Sequence, residues 1–206
     1  QCDWSSDVCS SDLVDALGLT LPAGATARLA GYLALLSKWN RVYNLTAIRD
    51  EKRMLTHHLF DSLAILPHLA TLSTLVDVGS GAGLPGIPLA ICRPELQVVS
   101  VEANQKKAAF QQQTRIELGL VNVSVLGRRV EDVEGRFDGA VSRAFSALTD
   151  FIRMAGRLAP KLFAMKGQYP RQELDHLPEG WRLLDAVKLA VPGLEAERHL
   201  IVLGRT

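Results

Sequence analysis

The chain has 206 residues, enough for one or two domains and for an apolar core that needs neither metal nor disulfide. A composition of 48% hydrophobic, 22% charged and 6% aromatic residues excludes collagen-like, coiled-coil and disordered chains. The formal net charge is +1, from 23 Lys and Arg against 22 Asp and Glu, and an average of that kind hides any uneven distribution.

The opening QCDWSSDVCSSDL, residues 1–13, carries Asp3, Asp7 and Asp12, no base, a near-repeat and no helical or strand periodicity. It resembles translated adaptor DNA fused upstream of a shortened gene and reads as a non-native leader. Without its three acids, 23 bases face 19 acids, a net of +4. Cys2 and Cys9 fall in this leader, and Cys92 falls in the apolar run IPLAIC, which predicts a buried thiol. No CxxC pair or Cys/His cluster suggests a metal site. No basic-then-apolar signal is visible, and apolar runs stop well short of the roughly 20 residues that span a bilayer. These absences predict a reduced, soluble, cytoplasmic protein without a membrane partner.

Residues 14–70 read as a helical lobe. Leu29, Leu33, Leu36 and Trp39 recur at helical spacing within 21–43, with Leu35 widening the stripe. A second helix is predicted from an N-cap at Asp50 to Leu66, before Pro67. Residues 71–206 then change pattern. Strands are predicted at 74–78, 96–101, 123–126, 139–142 and 162–165, with helices between them. The runs 181–189 and 198–204, separated by Pro192 and Gly193, predict a closing antiparallel hairpin. Alternating strands and helices specify an α/β domain with a mainly parallel sheet covered on both faces.

LVDVGSGAGLPGIPLA (75–90) is the most informative segment. Glycines 79, 81, 83 and 86 let backbone approach a ligand closely at the carboxyl end of the first strand. Gly81-x-Gly83-x-x-Gly86 formally matches a dinucleotide fingerprint, so a nicotinamide cofactor stands as one reading. Asp77 opposes it, because a carboxylate beside the loop repels a pyrophosphate and suits the cationic amino-acid end of S-adenosylmethionine. Glu102, just past the second strand, suits ribose hydroxyls and serves either cofactor. RRVEDV (128–133) offers the Val130 N–H and the acids Glu131 and Asp132 to an adenine, or is a plain surface loop.

Arg143 and Lys166 follow the fourth and fifth strands on the ligand rim, where they meet a ligand anion or pair with Asp138 or Glu173. Arg198 is a further basic residue at the cleft. Asn40, Asn44 and Thr46 crowd a helix end, where capping is the ordinary use. His58 and Asp61 share a helix face and suggest a hydrogen-bonded pair. No nucleophile elbow, catalytic Pro-Cys or NPPY-like motif is present, so a methyl acceptor here should itself be nucleophilic, such as a ring nitrogen.

In order along the chain, WNRVYNLTAIRD, HHLFDS, VDVGSGAGLPGIPLAICRPE, VSRAFSAL, MKGQYP and ERHLIVLG closely resemble the bacterial small-subunit ribosomal RNA guanine-N7 methyltransferases, the RsmG or glucose-inhibited division protein B family. The resemblance spans about Leu17 to Arg205. It implies a Rossmann-like, seven-stranded class I S-adenosylmethionine-dependent methyltransferase fold with an N-terminal helical lobe. It also implies methyl transfer to N7 of a guanine in the 16S rRNA decoding region. On this sequence the implied cofactor residues are Gly79, Leu84, Val130, Glu131 and Arg143, and Asp77, Gly81 and Glu102 join them from the reading above. Arg143, Lys166 and Asn44 are the implied catalytic set, and Arg129, Lys166 and Arg198 the RNA-facing one. His58 and Asp61 match an H-x-x-D-S motif read as architectural. The implied partner of a monomeric enzyme is 16S rRNA, in the 30S subunit or an assembly intermediate.

Overall fold

A computed structural model describes residues 17–143, 145 and 147–206, so the leader lies outside the described residues. The first helix, α1 (Ala25–Tyr43), buries Leu29, Leu33, Leu35 and Leu36 on the predicted stripe. Asn44 ends it in the left-handed region at φ 49°. Asn40 fixes the chain beyond: its Oδ1 accepts from Thr46 N at 2.9 Å and its Nδ2 donates to Ile48 O at 3.1 Å.

Asp50 caps the second helical segment by accepting from Arg53 N at 2.8 Å, a contact worth about 1 kcal/mol. That segment is not one regular helix. It runs as α2 (Glu51–Met54), a π-helical turn at Leu55–Phe60 and α3 (Asp61–Leu63). A single 3-10 turn, Leu66–Leu69, follows. The π turn widens the helix where His57 and His58 are carried, just ahead of Asp61, which apolar spacing could not reveal.

The sheet comprises β1 (Thr74–Val78), β2 (Gln97–Val101), β3 (Val123–Leu126), β4 (Gly139–Ser142), β5 (Lys161–Lys166), β6 (Trp181–Lys188) and β7 (His199–Arg205). Its order is β3-β2-β1-β4-β5-β7-β6. The β1, β2, β3, β4 and β5 pairings are parallel, whereas β7 runs antiparallel between β5 and β6. The predicted hairpin is therefore present, with β7 inserted beside β5. The helices α4 (Gly86–Cys92), α5 (Gln105–Glu117) and α6 (Leu148–Ala155) cover the sheet, and α7 (Arg171–Leu174) is a single turn after β5.

Chain order reverses at β1, which pairs with β2 on one side and β4 on the other. A crevice at the carboxyl ends of the strands opens at such a reversal. The lobe packs against this point. Tyr32, fully buried, donates its hydroxyl to Ala82 O at 2.9 Å, and Tyr32 and Trp39 both contact the Phe110 ring. Cys92 is buried, and burial pushes its thiol up to about 12. Among the described residues no helix is long and apolar enough to cross a membrane, and no cluster of three metal-ligating side chains occurs.

Candidate active site

The glycine loop between β1 and α4 is held by bonds to its own sheet. Gly79 N and Ser80 N donate to Val101 O at 2.9 and 3.2 Å, tying the loop to the end of β2. Gly81 N donates to Glu102 Oε2 at 2.7 Å, and Asn104 N donates to the other carboxylate oxygen at 2.7 Å. Gln111, fully buried on α5, donates to Ser80 Oγ and Gly81 O, both at 2.8 Å, and accepts from Ser100 Oγ. These contacts hold the loop open over a cavity of about 240 Å³, with Gly79, Gly81, Ala82 and Leu84 in its wall. Gly81 sits at φ 59°, and a Cβ there would stand in open space, so only glycine gives this backbone a bare face.

Asp77 lies behind the loop rather than in the wall. It is fully buried, its Oδ2 accepts from Gly86 N at 2.8 Å, and its Oδ1 has no partner. A Cβ on Gly86 would come within 2.7 Å of that carboxylate, which explains the glycine. Burial pushes the Asp77 carboxyl up to about 7, with the Gly86 N–H and Arg143 pulling the other way. The contact that Asp77 makes fastens the loop to the start of α4.

A second cavity of about 380 Å³ lies alongside, lined by Asp61, Arg143, Lys166 and Arg198 among others. Asp61, only 2% exposed, organises it. Its Oδ2 accepts from Arg143 Nη1 at 3.2 Å and its Oδ1 from Arg198 Nε at 3.0 Å. The Arg143 Nη1 also donates to His57 O at 2.9 Å, a carbonyl of the π turn. Lys166 Nζ reaches both oxygens of Glu173 at 3.0 Å. Three cations against two carboxylates leave the group positive, which suits a phosphate-rich ligand.

The structure thus brings Arg143, Lys166 and Arg198 to one cavity. Lys166 takes the Glu173 partner considered for it, while Asp138 instead accepts from Ser73 N and Thr74 N. His58 and Asp61 do not pair, because both Asp61 oxygens are occupied by arginines. His58 Nε2 contacts Thr46 Oγ1 at 2.9 Å instead. His58 lies in the walls of both cavities, as does Arg143. Burial, reinforced by Arg143, pushes the His58 ring down to about 4, so it is neutral near pH 7.

Asn44 stands apart from both cavities. Its left-handed backbone turns it to the surface, where Oδ1 accepts from Arg49 Nη2 at 3.1 Å. Leu45 and Thr46, one and two residues on, line the glycine-loop cavity in its place. Val130 and Glu131 lie in a 3-10 turn past β3, outside both linings. Arg157 Nη2 holds their carbonyls at 2.6 and 2.9 Å. Arg129 is exposed at the start of that turn. Sequence reasoning missed Lys107 and Gln111, and it read Thr46 as an ordinary capping residue. Only Gln111 had a usable signal: a polar residue beside Ala108 and Phe110 on the buried face of α5.

A family model described as rRNA small subunit methyltransferase G matches residues 25–201. The chain belongs to this family. The ribosomal RNA small subunit methyltransferase G of Aromatoleum aromaticum is 56% identical over 198 residues, covering 92% of this chain and 94% of that protein. The protein of that name from Azoarcus sp. (strain BH72) is 54% identical over 200 residues, covering 95% and 94%. The fold recurs in magnesium protoporphyrin IX methyltransferase from Synechocystis PCC 6803, with a TM-score of 0.59 at 16% identity over 91% of this chain and 99% of that one. It recurs also in TrmN from Thermus thermophilus, at a TM-score of 0.58 and 18% identity over 70% and 48%.

Membership in the family makes this chain an S-adenosylmethionine-dependent methyltransferase, and the expected class I fold with its helical lobe is the one observed. The site's chemistry fits that cofactor. The bare Gly81 face gives close approach, and Glu102 places a carboxylate at the end of β2 where ribose hydroxyls can donate to it. The cavity wall offers cations to the single anionic group the cofactor carries.

Proposed function

We propose that the two cavities divide one reaction, the glycine-loop cavity holding S-adenosylmethionine and the arginine-lined cavity receiving a guanine of 16S rRNA for methylation at N7. The observation that carries this reading is the shared wall: Arg143 and His58 belong to both cavities, so two ligands placed in them meet there. S-adenosylmethionine supplies the methyl group on a positively charged sulfur. Guanine N7 offers an in-plane lone pair and loses no proton on attack, so the chain needs alignment rather than a general base.

The residues then have separate tasks. Gly79, Gly81 and Leu84 shape the donor site, Glu102 accepts from the ribose, and the turn at Val130 and Glu131 borders the adenine. Asp77 acts through Gly86 to keep the loop in shape. His58, neutral because it is buried, adds no charge to a wall facing a sulfonium. Arg143 touches both ligands, and Arg198 and Lys166 hold RNA phosphate while base contacts select the guanine. Arg129 adds a peripheral phosphate contact, and Asn44 acts only by capping α1. The target base must be unstacked to enter, which favours an accessible rRNA segment in a 30S subunit or an assembly intermediate. A monomer suffices, because one chain supplies both cavities, and the substrate places the enzyme in the cytoplasm.

The test is transfer of labelled methyl from S-adenosylmethionine to 30S subunits and to free 16S rRNA lacking the modification, followed by mapping. Label in N7-methylguanine within the decoding region is the expected result. A folded protein that leaves the RNA unlabelled, or labels another atom, overturns the proposal.

A further inference from the structure

The glycine-loop cavity has a charge pattern that the residues discussed so far leave unexplained. Among the described residues its wall contains no carboxylate, because Asp77 is sealed behind the loop and Glu102 stands outside the lining. It does contain two cations. Arg143 is already held by Asp61 and the His57 carbonyl. The other is Lys107, half-buried in the first turn of α5, whose ammonium has no hydrogen-bond or ion-pair partner among the described residues. Its backbone is fixed by the Asn104 cap, which accepts from Lys107 N at 3.3 Å, so the side chain springs from a rigid point. Ala82, in the same wall, has a backbone N–H that donates to no described residue. An ammonium on a half-buried residue and an N–H without a described acceptor, both on residues of one cavity wall, call for an anion.

We infer that Lys107, with the Ala82 N–H, binds the α-carboxylate of the methyl donor's amino-acid tail. This rests on the cofactor assignment above and deepens it. Of the groups S-adenosylmethionine carries, the adenosine is neutral and the sulfonium and α-ammonium are positive. The carboxylate alone matches a cationic wall. Lys107 thereby sets which end of the tail lies against α5.

A phosphate of the RNA has the same anionic oxygens, so the test is made without RNA. Calorimetry on the full chain compares S-adenosylhomocysteine, which keeps the amino-acid tail, with methylthioadenosine, which keeps the nucleoside and sulfur and lacks the tail. The Lys107→Met variant should lose about tenfold or more in affinity for S-adenosylhomocysteine and bind methylthioadenosine as the parent does. Lys107→Arg should recover most of the loss. Unchanged methylthioadenosine binding also certifies that the variant is folded. An unchanged affinity for S-adenosylhomocysteine in Lys107→Met, with the parent binding normally, overturns the inference. Equal losses for both ligands overturn it too, because the effect would then lie in the loop. Failure of the parent itself to bind S-adenosylhomocysteine sinks the cofactor assignment, a different outcome from either.

Discussion

The two cavities share a wall and are built by opposite means. The glycine-loop cavity is shaped by backbone: glycines at positive φ, N–H groups donating to Val101 O and to Glu102, and the buried Gln111 beneath. The loop after β1, the end of β2 and the helix that follows supply this backbone frame, and Leu45, Thr46, His58 and Arg143 complete the wall. The arginine-lined cavity is shaped by side chains from three distant segments meeting at Asp61, which joins a π turn of the lobe to the end of β4 and the start of β7. A site for a small, invariant ligand can be set in a rigid loop. A site for RNA needs charge, and the charge must be held in place by a buried counter-charge.

The sharpest way to break this contrast is Asp61→Ala. It leaves Arg143 and Arg198 facing each other without their shared carboxylate, a change worth about 3–5 kcal/mol for a buried pair. Methyl transfer to RNA should fall by about a hundredfold or more, with a clearly lowered Tm. S-adenosylhomocysteine affinity should fall far less, because Arg143 keeps the His57 carbonyl. Asp61→Asn, which retains an acceptor, should recover part of the transfer rate. Equal losses in both assays would show that the cavities are not independently built.

Asp77 sharpens the other side through pH. Its carboxyl titrates near 7 in the folded chain against 3.8 ordinarily, so the folded state holds a proton that the unfolded state releases. The stability from this group is full below pH 4 and lost as pH rises through about 7. Asp77→Asn does not titrate, so its stability relative to the parent should climb between pH 5 and 8, by about 2.6 kcal/mol. The His58 titration is common to both chains and cancels. Denaturant midpoints across that range check it, and a flat difference would contradict the burial argument.

Gln111→Leu removes the amide beneath the loop and should cost about 2 kcal/mol together with about tenfold in S-adenosylhomocysteine affinity. RNA affinity should stay unchanged, as measured by filter binding. The smallest effect is expected of Arg129→Ala, exposed and outside both cavities. RNA affinity should fall about twofold and the salt slope by about one.

The same contrast decides how much was legible in the sequence. The loop announced itself because its determinants are adjacent: an apolar strand, then glycines, then a helix. Strands β1, β3 and β4 have the predicted limits for the same local reason. Asp50 capped its helix as composition predicts. Asp61 was visible only as a helical acid beside His58, since its partners lie 82 and 137 residues away and no local pattern links them. The π turn was hidden because Leu55, Leu59 and Leu63 fit an α-helical stripe equally well. Asn44 and Thr46 are legible together in the sequence, but local pattern cannot say that Thr46 is the one that lines the cavity. Asp77 stands out in the sequence as an acid beside the loop, but one-dimensional order cannot say on which side of a loop a side chain falls.

The central claim is that two ligands occupy two cavities which meet at Arg143 and His58, and Arg198→Ala tests it most directly. Arg198 lines only the second cavity, so calorimetric titration with S-adenosylhomocysteine should give the parental affinity. Transfer to 16S rRNA by the same preparation should lose about tenfold or more in kcat/KM. A loss of S-adenosylhomocysteine affinity matching the loss of transfer would contradict the division into two sites.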